Sequence, residues 1–226
     1  MPTVLVTGAN RGIGLEFARA YAADGWAVHA CCRHPDKAKE LKALRKSVKT
    51  HRLDVTDGLQ VASLARELAD TPIDLLINNA GIYGPRAGFG ETDYDDWLEV
   101  LKVNSLAPLR MVERFVEHVA NSERKLIANI SSRMGSITES SSGGNYIYRS
   151  SKAALNMVTK TLSVDLAERG ITVVSFHPGW VQTDMGGENA TITPTDSVKG
   201  MRGVIAGLTQ QDSGSFLNFD GSPVAW

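Results

Sequence analysis

Tyr148 and Lys152 stand four positions apart in Tyr148-Arg-Ser-Ser-Lys152-Ala-Ala. Residues at i and i+4 share a helix face, so a phenol and an ammonium can meet at one point in a cleft. A phenol titrates near pH ~10 and is a reluctant proton donor at neutrality. Lowering that value toward ~7 takes roughly 4 kcal/mol, and one cation at ~4 Å supplies about that much at an effective dielectric near ~20. The pair therefore predicts an acidified tyrosine able to give or take a proton at working pH. Alone the pattern is weak, because it also arises in helices whose tyrosine is packed and whose lysine is solvated.

A second suggestive stretch is Gly8-Ala-Asn10-Arg11-Gly12-Ile13-Gly14. It follows the β-branched run Thr3-Val-Leu-Val-Thr7 and precedes Leu15–Ala23, helix formers with Leu15, Ala18 and Ala22 on one face. A strand, a glycine turn and a helix in that order suit a pyrophosphate: glycines admit its close approach, and the N–H groups at the helix start attract its charge. The spacing Gly-x-x-x-Gly-x-Gly is one residue longer before its middle glycine than the common dinucleotide fingerprint. The bland alternative is an ordinary loop between strand and helix.

The elements that must position these residues alternate. Apolar β-rich runs recur at 3–7, 27–32, 48–53, 73–77, 125–130, 171–177 and 215–218, and helical patterns at 12–23, 36–45, 57–69, 93–102, 105–120, 146–168 and 196–208. Such alternation predicts parallel βαβ units with right-handed crossovers. With 226 residues and no repeat or linker, the chain suits one doubly wound α/β domain, residues 1–226. Ligands of such sheets bind beyond the carboxyl ends of the strands, where strand order reverses.

Composition narrows the function classes. A net charge of −1 without a basic run does not suit a nucleic-acid or anionic-membrane surface. The first apolar run is five residues long and reads as a strand rather than a signal peptide, and nothing reaches the ~20 apolar residues of a membrane span. Cys31 and Cys32 are adjacent in a predicted strand, so they face opposite ways and are expected to be reduced, consistent with the cytoplasm. No Gly-x-Ser-x-Gly elbow occurs, and the five histidines show neither triad nor metal spacing. Hydrolase and metal-centre readings are set aside, and no metal site is expected.

Taken together, Thr7-Gly-x-x-x-Gly-x-Gly14, Asn78-Asn-Ala-Gly81, Ser132, Tyr148-x-x-x-Lys152 and Pro178-Gly179 resemble the short-chain dehydrogenase/reductase family, in the family's order. The stretches Ile130–Ile137 and Ser142–Asn156, and the tail from Phe216 to Trp226, are similar to the branch holding C-factor-like and sniffer-like carbonyl reductases. The resemblance implies a single-domain Rossmann fold with a seven-stranded parallel sheet in the order 3-2-1-4-5-6-7 and its crevice between strands one and four. It implies that Tyr148 is the proton donor in carbonyl reduction, that Lys152 lowers the phenol's pKa and holds the nicotinamide ribose, and that Ser132 bonds the substrate carbonyl. Ser131 is the rival to Ser132, chosen from its place in Ile130-Ser-Ser132. Asn104 matches the family asparagine supporting a proton relay, with a helix-interrupting or capping role as its competitor. The separation of Ser132 from Tyr148, 16 positions, is longer than the family's usual spacing; the extra residues fall in Thr138–Gly144.

For the cofactor, the second predicted strand ends Cys31-Cys32-Arg33, with no carboxylate to bond a ribose 2′-hydroxyl. Arg33 and Arg11 suit a 2′-phosphate instead, which favours NADP(H) over NAD(H). The family pattern adds Asp54 and Val55 beside the adenine, Asn79, Ala80 and Gly81 along the cofactor, and Pro178, Gly179, Val181 and Thr183 near the nicotinamide. Asp54 reads equally well as a helix cap. Met134, Asn145 and Tyr146 are candidate pocket residues, and a short lid is expected near 184–196. Helices 105–120 and 146–168 carry Leu106, Leu109, Val112, Phe115, Leu155, Val158 and Leu162, more apolar residues than one sheet face needs, so a homodimer or homotetramer is expected, with a purely core role for these faces as the alternative. The rival to an enzyme is a non-catalytic dinucleotide-binding regulatory or signalling protein of the same fold.

Overall fold

The computed structural model describes residues 1–44 and 47–226. Strands β1 (Thr3–Thr7), β2 (Ala27–Cys32), β3 (Val48–Arg52), β4 (Leu75–Asn78), β5 (Leu126–Ile130), β6 (Thr172–His177) and β7 (Phe216–Asn218) form one sheet in the order 3-2-1-4-5-6-7. Every pairing is parallel. Between them run α1 (Gly12–Ala23), α2 (Lys39–Ala43), α3 (Gly58–Glu67), α4 (Tyr94–Leu101), α5 (Ala107–Ala120), α6 (Tyr146–Asp165) and α7 (Pro194–Gly207). This is a single-domain Rossmann-type fold, as the alternation predicts. Of the helix expected at 36–45, residues 39–43 are helical, and its last residue lies outside the described ones.

Because both faces of a parallel sheet are covered, its strands are apolar throughout and adjacent residues enter different cores. Val4, Val6, Ala30, Cys32, Leu75 and Ile77 pack against α1, α2 and α7 through Phe17, Leu41 and Met201. Leu5, Cys31, Leu76, Ile127 and Val173 pack on the other face against α3, α5 and α6 through Leu64, Phe115 and Leu162. Cys31 and Cys32 thus lie in opposite cores as unpaired thiols. Asp74 aligns β1 beside β4: its Oδ2 accepts from the Thr3 N–H at 2.8 Å, and its own N–H donates to the Thr3 carbonyl at 3.0 Å.

Two expectations are corrected. The helices expected at 93–102 and 105–120 are joined by a π turn, Lys102–Leu106, so the chain does not leave the helix at Asn104; the extra residue of the wide turn is absorbed inside it. The apolar surplus on the long helices is mostly core: Val112, Phe115, Leu155 and Leu162 are buried within this one chain, while Leu106 is exposed. Fully buried Phe115 holds α5 to the sheet. Phe115→Ala is expected to lower the unfolding free energy by about 3–5 kcal/mol in a denaturant titration.

Candidate active site

At the carboxyl ends of β1 and β4 the chain departs to opposite faces of the sheet, and the gap between the two tips opens a crevice of about 600 Å³. Gly8, Asn10, Arg11, Gly12, Ile13 and Gly14 form one wall. A Cβ on Gly14 would lie 2.4 Å from the Gly8 carbonyl oxygen and 2.5 Å from Asn79 Nδ2, so only glycine fits without moving backbone. Asn79 donates from that amide to the Thr7 carbonyl at 2.9 Å and the Gly8 carbonyl at 3.2 Å. Thr7 Oγ1 accepts in return from the N–H groups of Asn79 (3.0 Å) and Ala80 (3.1 Å). The two strand tips are stitched together with no bulky side chain between them.

Arg33, Asp54 and Val55 line the far end of the crevice, after β2 and β3. Arg33 makes no ion pair with any described residue, whereas the nearby Glu40 is engaged by Arg19. Asp54 accepts from the Thr56 N–H and hydroxyl at 2.9 and 2.7 Å, closing a turn. The cap of α3 is Asp57, which accepts from Leu59 and Gln60, so the capping alternative for Asp54 does not hold. Arg11 turns away from this end. Its guanidinium pairs with Asp184 at 2.6 Å across the mouth, joining the glycine loop to the segment after β6. Pro178 and Thr183 line the crevice; Gly179 and Val181 do not, Val181 being buried in a bridge to Ile192. Because Thr193 caps α7, whose first residue is Pro194, the segment free to cover the crevice ends before the expected residue 196.

Tyr148 and Lys152 sit one turn apart on α6, both buried and both lining the same crevice. Burial pushes the phenol up to about 12, partly offset by a hydrogen bond from Ser132. Burial lowers the Lys152 ammonium to about 8. Burial thus opposes the acidified tyrosine that the pair predicts. The ammonium donates to the Ile130 carbonyl at 2.9 Å and lies 5.7 Å from the phenol ring centre, and desolvation of the phenol exceeds what it contributes. Ser131 donates to Asn156 Oδ1 at 2.6 Å, which turns its hydroxyl toward α6, while Ser132 is the serine that eases ionisation of the phenol.

Asn104 lies beneath the crevice, fully buried in the π turn. Its Oδ1 accepts from the Ile82 N–H at 2.9 Å, and its amide donates to the Ile82 carbonyl at 2.8 Å and Ser151 Oγ at 3.0 Å. It clasps the loop after β4 to the helix that carries Tyr148 and Lys152. Met134, the exposed Tyr146 and Ser132 are not among the residues lining this crevice, whereas Ser131 is. The aromatic side chain at the phenol is Tyr83, whose ring stacks on Tyr148 with centres 4.3 Å apart and planes 16° apart. Its place directly after Asn79-Ala-Gly81-Ile82, at the strand-end motif, was the available signal.

A family model described as short chain dehydrogenase matches residues 2–192. The C-signal protein of Myxococcus xanthus is 43% identical over 164 residues, covering 73% of this chain and 99% of that protein. The NADPH-bound carbonyl reductase from chicken fatty liver superposes with a TM-score of 0.94 at 38% identity, over 100% of this chain and 99% of that one. The carbonyl reductase Sniffer of D. melanogaster superposes with a TM-score of 0.94 at 33% identity, over 100% of both chains.

Lys152 makes stability depend on pH. In the unfolded chain its amine binds a proton up to about pH 10.5, but in the folded protein only up to about 8. Between those values the unfolded state holds more protons, so folding is strengthened as pH rises and weakened as it falls. Lys152→Met removes this component. The stability of wild type relative to Lys152→Met is expected to increase by about 3 kcal/mol from pH 7.5 to 10.5 in parallel denaturant titrations.

Proposed function

The chain belongs to the short-chain dehydrogenase family, and on that premise we propose that it is an NADP(H)-dependent oxidoreductase reducing an aldehyde, ketone or quinone to an alcohol. The observation that carries the reading is one crevice lined both by the glycine loop and by the buried Tyr148 and Lys152. The fit of a dinucleotide rests on the cradle at Gly8 and Gly14, which a Cβ would fill, and on the unpaired guanidinium at the far end. The glycine loop at the start of α1 would hold the pyrophosphate, Asp54 and Val55 would flank the adenine, and Asn79, Ala80 and Gly81 would lie along the middle. Pro178 and Thr183 would border the nicotinamide. When bound, the cofactor supplies hydride to the carbonyl carbon.

The chain's own residues handle the oxygen. Ser132 holds the carbonyl by a hydrogen bond that strengthens as negative charge develops. Tyr148 then donates its proton to that oxygen. A phenol raised to about 12 still protonates an alkoxide, a much stronger base, but is a poor base for removing an alcohol's proton. Lys152, charged below about pH 8, supports the phenolate that remains and would bond the nicotinamide ribose. Asn104 holds the floor on which the proton is resupplied.

Preference for NADP(H) rests on Arg33, which directly follows β2 at the position where a carboxylate would meet a ribose hydroxyl and which makes no ion pair among the described residues. Arg11 has Asp184 as its partner, and this pair ties residues 184–193 over the mouth as a lid. A homodimer or homotetramer would draw on Leu106, Met157 and Val164, the apolar side chains left exposed along α5 and α6. Cytoplasmic residence is proposed on the two unpaired buried thiols. The likeness to C-signal favours a second reading, a dinucleotide-binding signalling protein without turnover.

NADPH oxidation followed against aldehydes, diketones and quinones separates the two readings. Tyr148→Phe is expected to reduce kcat/KM by about 10²–10⁴-fold with cofactor affinity unchanged; a variant as active as wild type contradicts the role given to the phenol. Arg33→Asp is expected to weaken NADPH binding by about 10- to 100-fold, as loss of a charge-assisted phosphate contact should. Titrations by fluorescence should show NADH affinity unaffected, and equal loss for both cofactors would sink the phosphate assignment.

A further inference from the structure

Tyr83 lies in the segment between β4 and α4, yet it is held from three directions. Its ring stacks on Tyr148. Its hydroxyl donates to Asn145 Oδ1 at 3.3 Å and lies 3.7 Å from Met134 Sδ. The Arg86 guanidinium lies over its ring, 5.3 Å from the centre. The backbone beneath is equally fixed, since a Cβ on the next residue, Gly84, would come within 2.7 Å of Val100 and 3.2 Å of Ile147, both buried. Asn145, the acceptor, immediately precedes α6 and has φ +53, the left-handed region that a non-glycine residue adopts only when its surroundings enforce it. Its N–H donates to the Ala87 carbonyl at 3.2 Å, so the same segment grips the start of the helix through both backbone and side chain.

These contacts converge on the one side chain whose aim matters most. A tyrosine on a helix can swing about χ1, and the Ser132 hydroxyl engages the phenol in only one orientation. We propose that Tyr83, anchored by Asn145, is a positioning residue that fixes the face and direction of the Tyr148 phenol, leaving the Ser132 side open for the substrate carbonyl. The inference rests on the carbonyl-reductase reading and extends it. Tyr83 does not touch the reacting atoms. It acts through Tyr148, and because its ring occupies one face of the phenol, a flat substrate cannot stack there and must approach edge-on past Ser132.

The test compares Tyr83→Leu, Tyr83→Phe and Asn145→Gly with wild type and Tyr148→Phe, using NADPH and the carbonyl reduced fastest in the panel. Tyr83→Leu is expected to lose about 10- to 100-fold in kcat, the scale of a misplaced catalytic group, with KM and NADPH affinity within twofold. Tyr83→Phe, which keeps the stack, should recover most of kcat. Asn145→Gly suits the φ +53 backbone and removes only the anchor, so it should lose kcat to a smaller extent without unfolding. Unchanged kcat in Tyr83→Leu, or equal losses in Tyr83→Leu and Tyr83→Phe, would each overturn the inference. Full activity in Tyr148→Phe would instead overturn the carbonyl-reductase reading itself.

Discussion

The crevice depends on how closely the tips of β1 and β4 approach one another. At this point the sheet order reverses, and the Asn79 amide reaches across to the carbonyls of Thr7 and Gly8. The bonds are short because Gly14 presents no Cβ to the space the amide fills. A methyl group there would meet backbone oxygen and amide nitrogen together, and neither can yield without parting the strands. The same closeness leaves the N–H groups at the start of α1 facing an open gap lined by backbone, which favours an anion more than any side-chain pocket would. The glycine loop is best understood as a packing constraint first, with ligand binding as its consequence.

A different constraint governs the opposite wall. Lys152 is buried with no carboxylate partner among the described residues and rests on the Ile130 carbonyl. Holding a lone ammonium there costs free energy, seen in its fall to about 8, and the fold offsets that cost elsewhere. The support is the network joining the π turn to α6: Asn104 clasps Ile82 and Ser151, and the Ser105 hydroxyl donates to the Ser151 carbonyl at 2.8 Å. A wide turn inside a helix is itself unfavourable, and it persists here because its residues fasten the helix bearing the phenol. Strain and an isolated charge gather at one place, the usual mark of residues kept for their chemistry.

What could be read before folding, and what could not, divides by the range of the interactions. Strands β1 and β2 lie where their apolar runs predict, and the sheet order follows from the alternation and the family resemblance, because both depend on local pattern. Asn104 was expected between two helices and lies inside a continuous one, since a π turn has no periodicity of its own in five residues. Asp54 and Asp57 are three positions apart before the same helix, and only the geometry of the turn at Thr56 shows which of them caps it. Arg11 was assigned to phosphate from its place in the glycine loop. Its partner Asp184 is 173 positions away, and no local signal announces it. The sequence places Tyr83 just after the strand-end motif but not against Tyr148: the two rings meet only because a long segment without regular structure folds back over α6.

The state of the phenol bears on whether the site exists for turnover or for sensing. A protein that merely registers dinucleotide occupancy needs a cradle for the phosphates and a contact for the ribose, the parts proposed for the glycine loop and Lys152. It gains nothing from a tyrosine buried at the crevice floor, bonded to Ser132 and covered by a second aromatic ring. Burial keeps that proton on the phenol across the physiological range, which removes it as a pH sensor but leaves it ready for a base as strong as an alkoxide. Such a base arises in the crevice only while a carbonyl is being reduced. On the proposed reading the cost of burying the hydroxyl is recovered in the reaction, which is what favours turnover over occupancy alone.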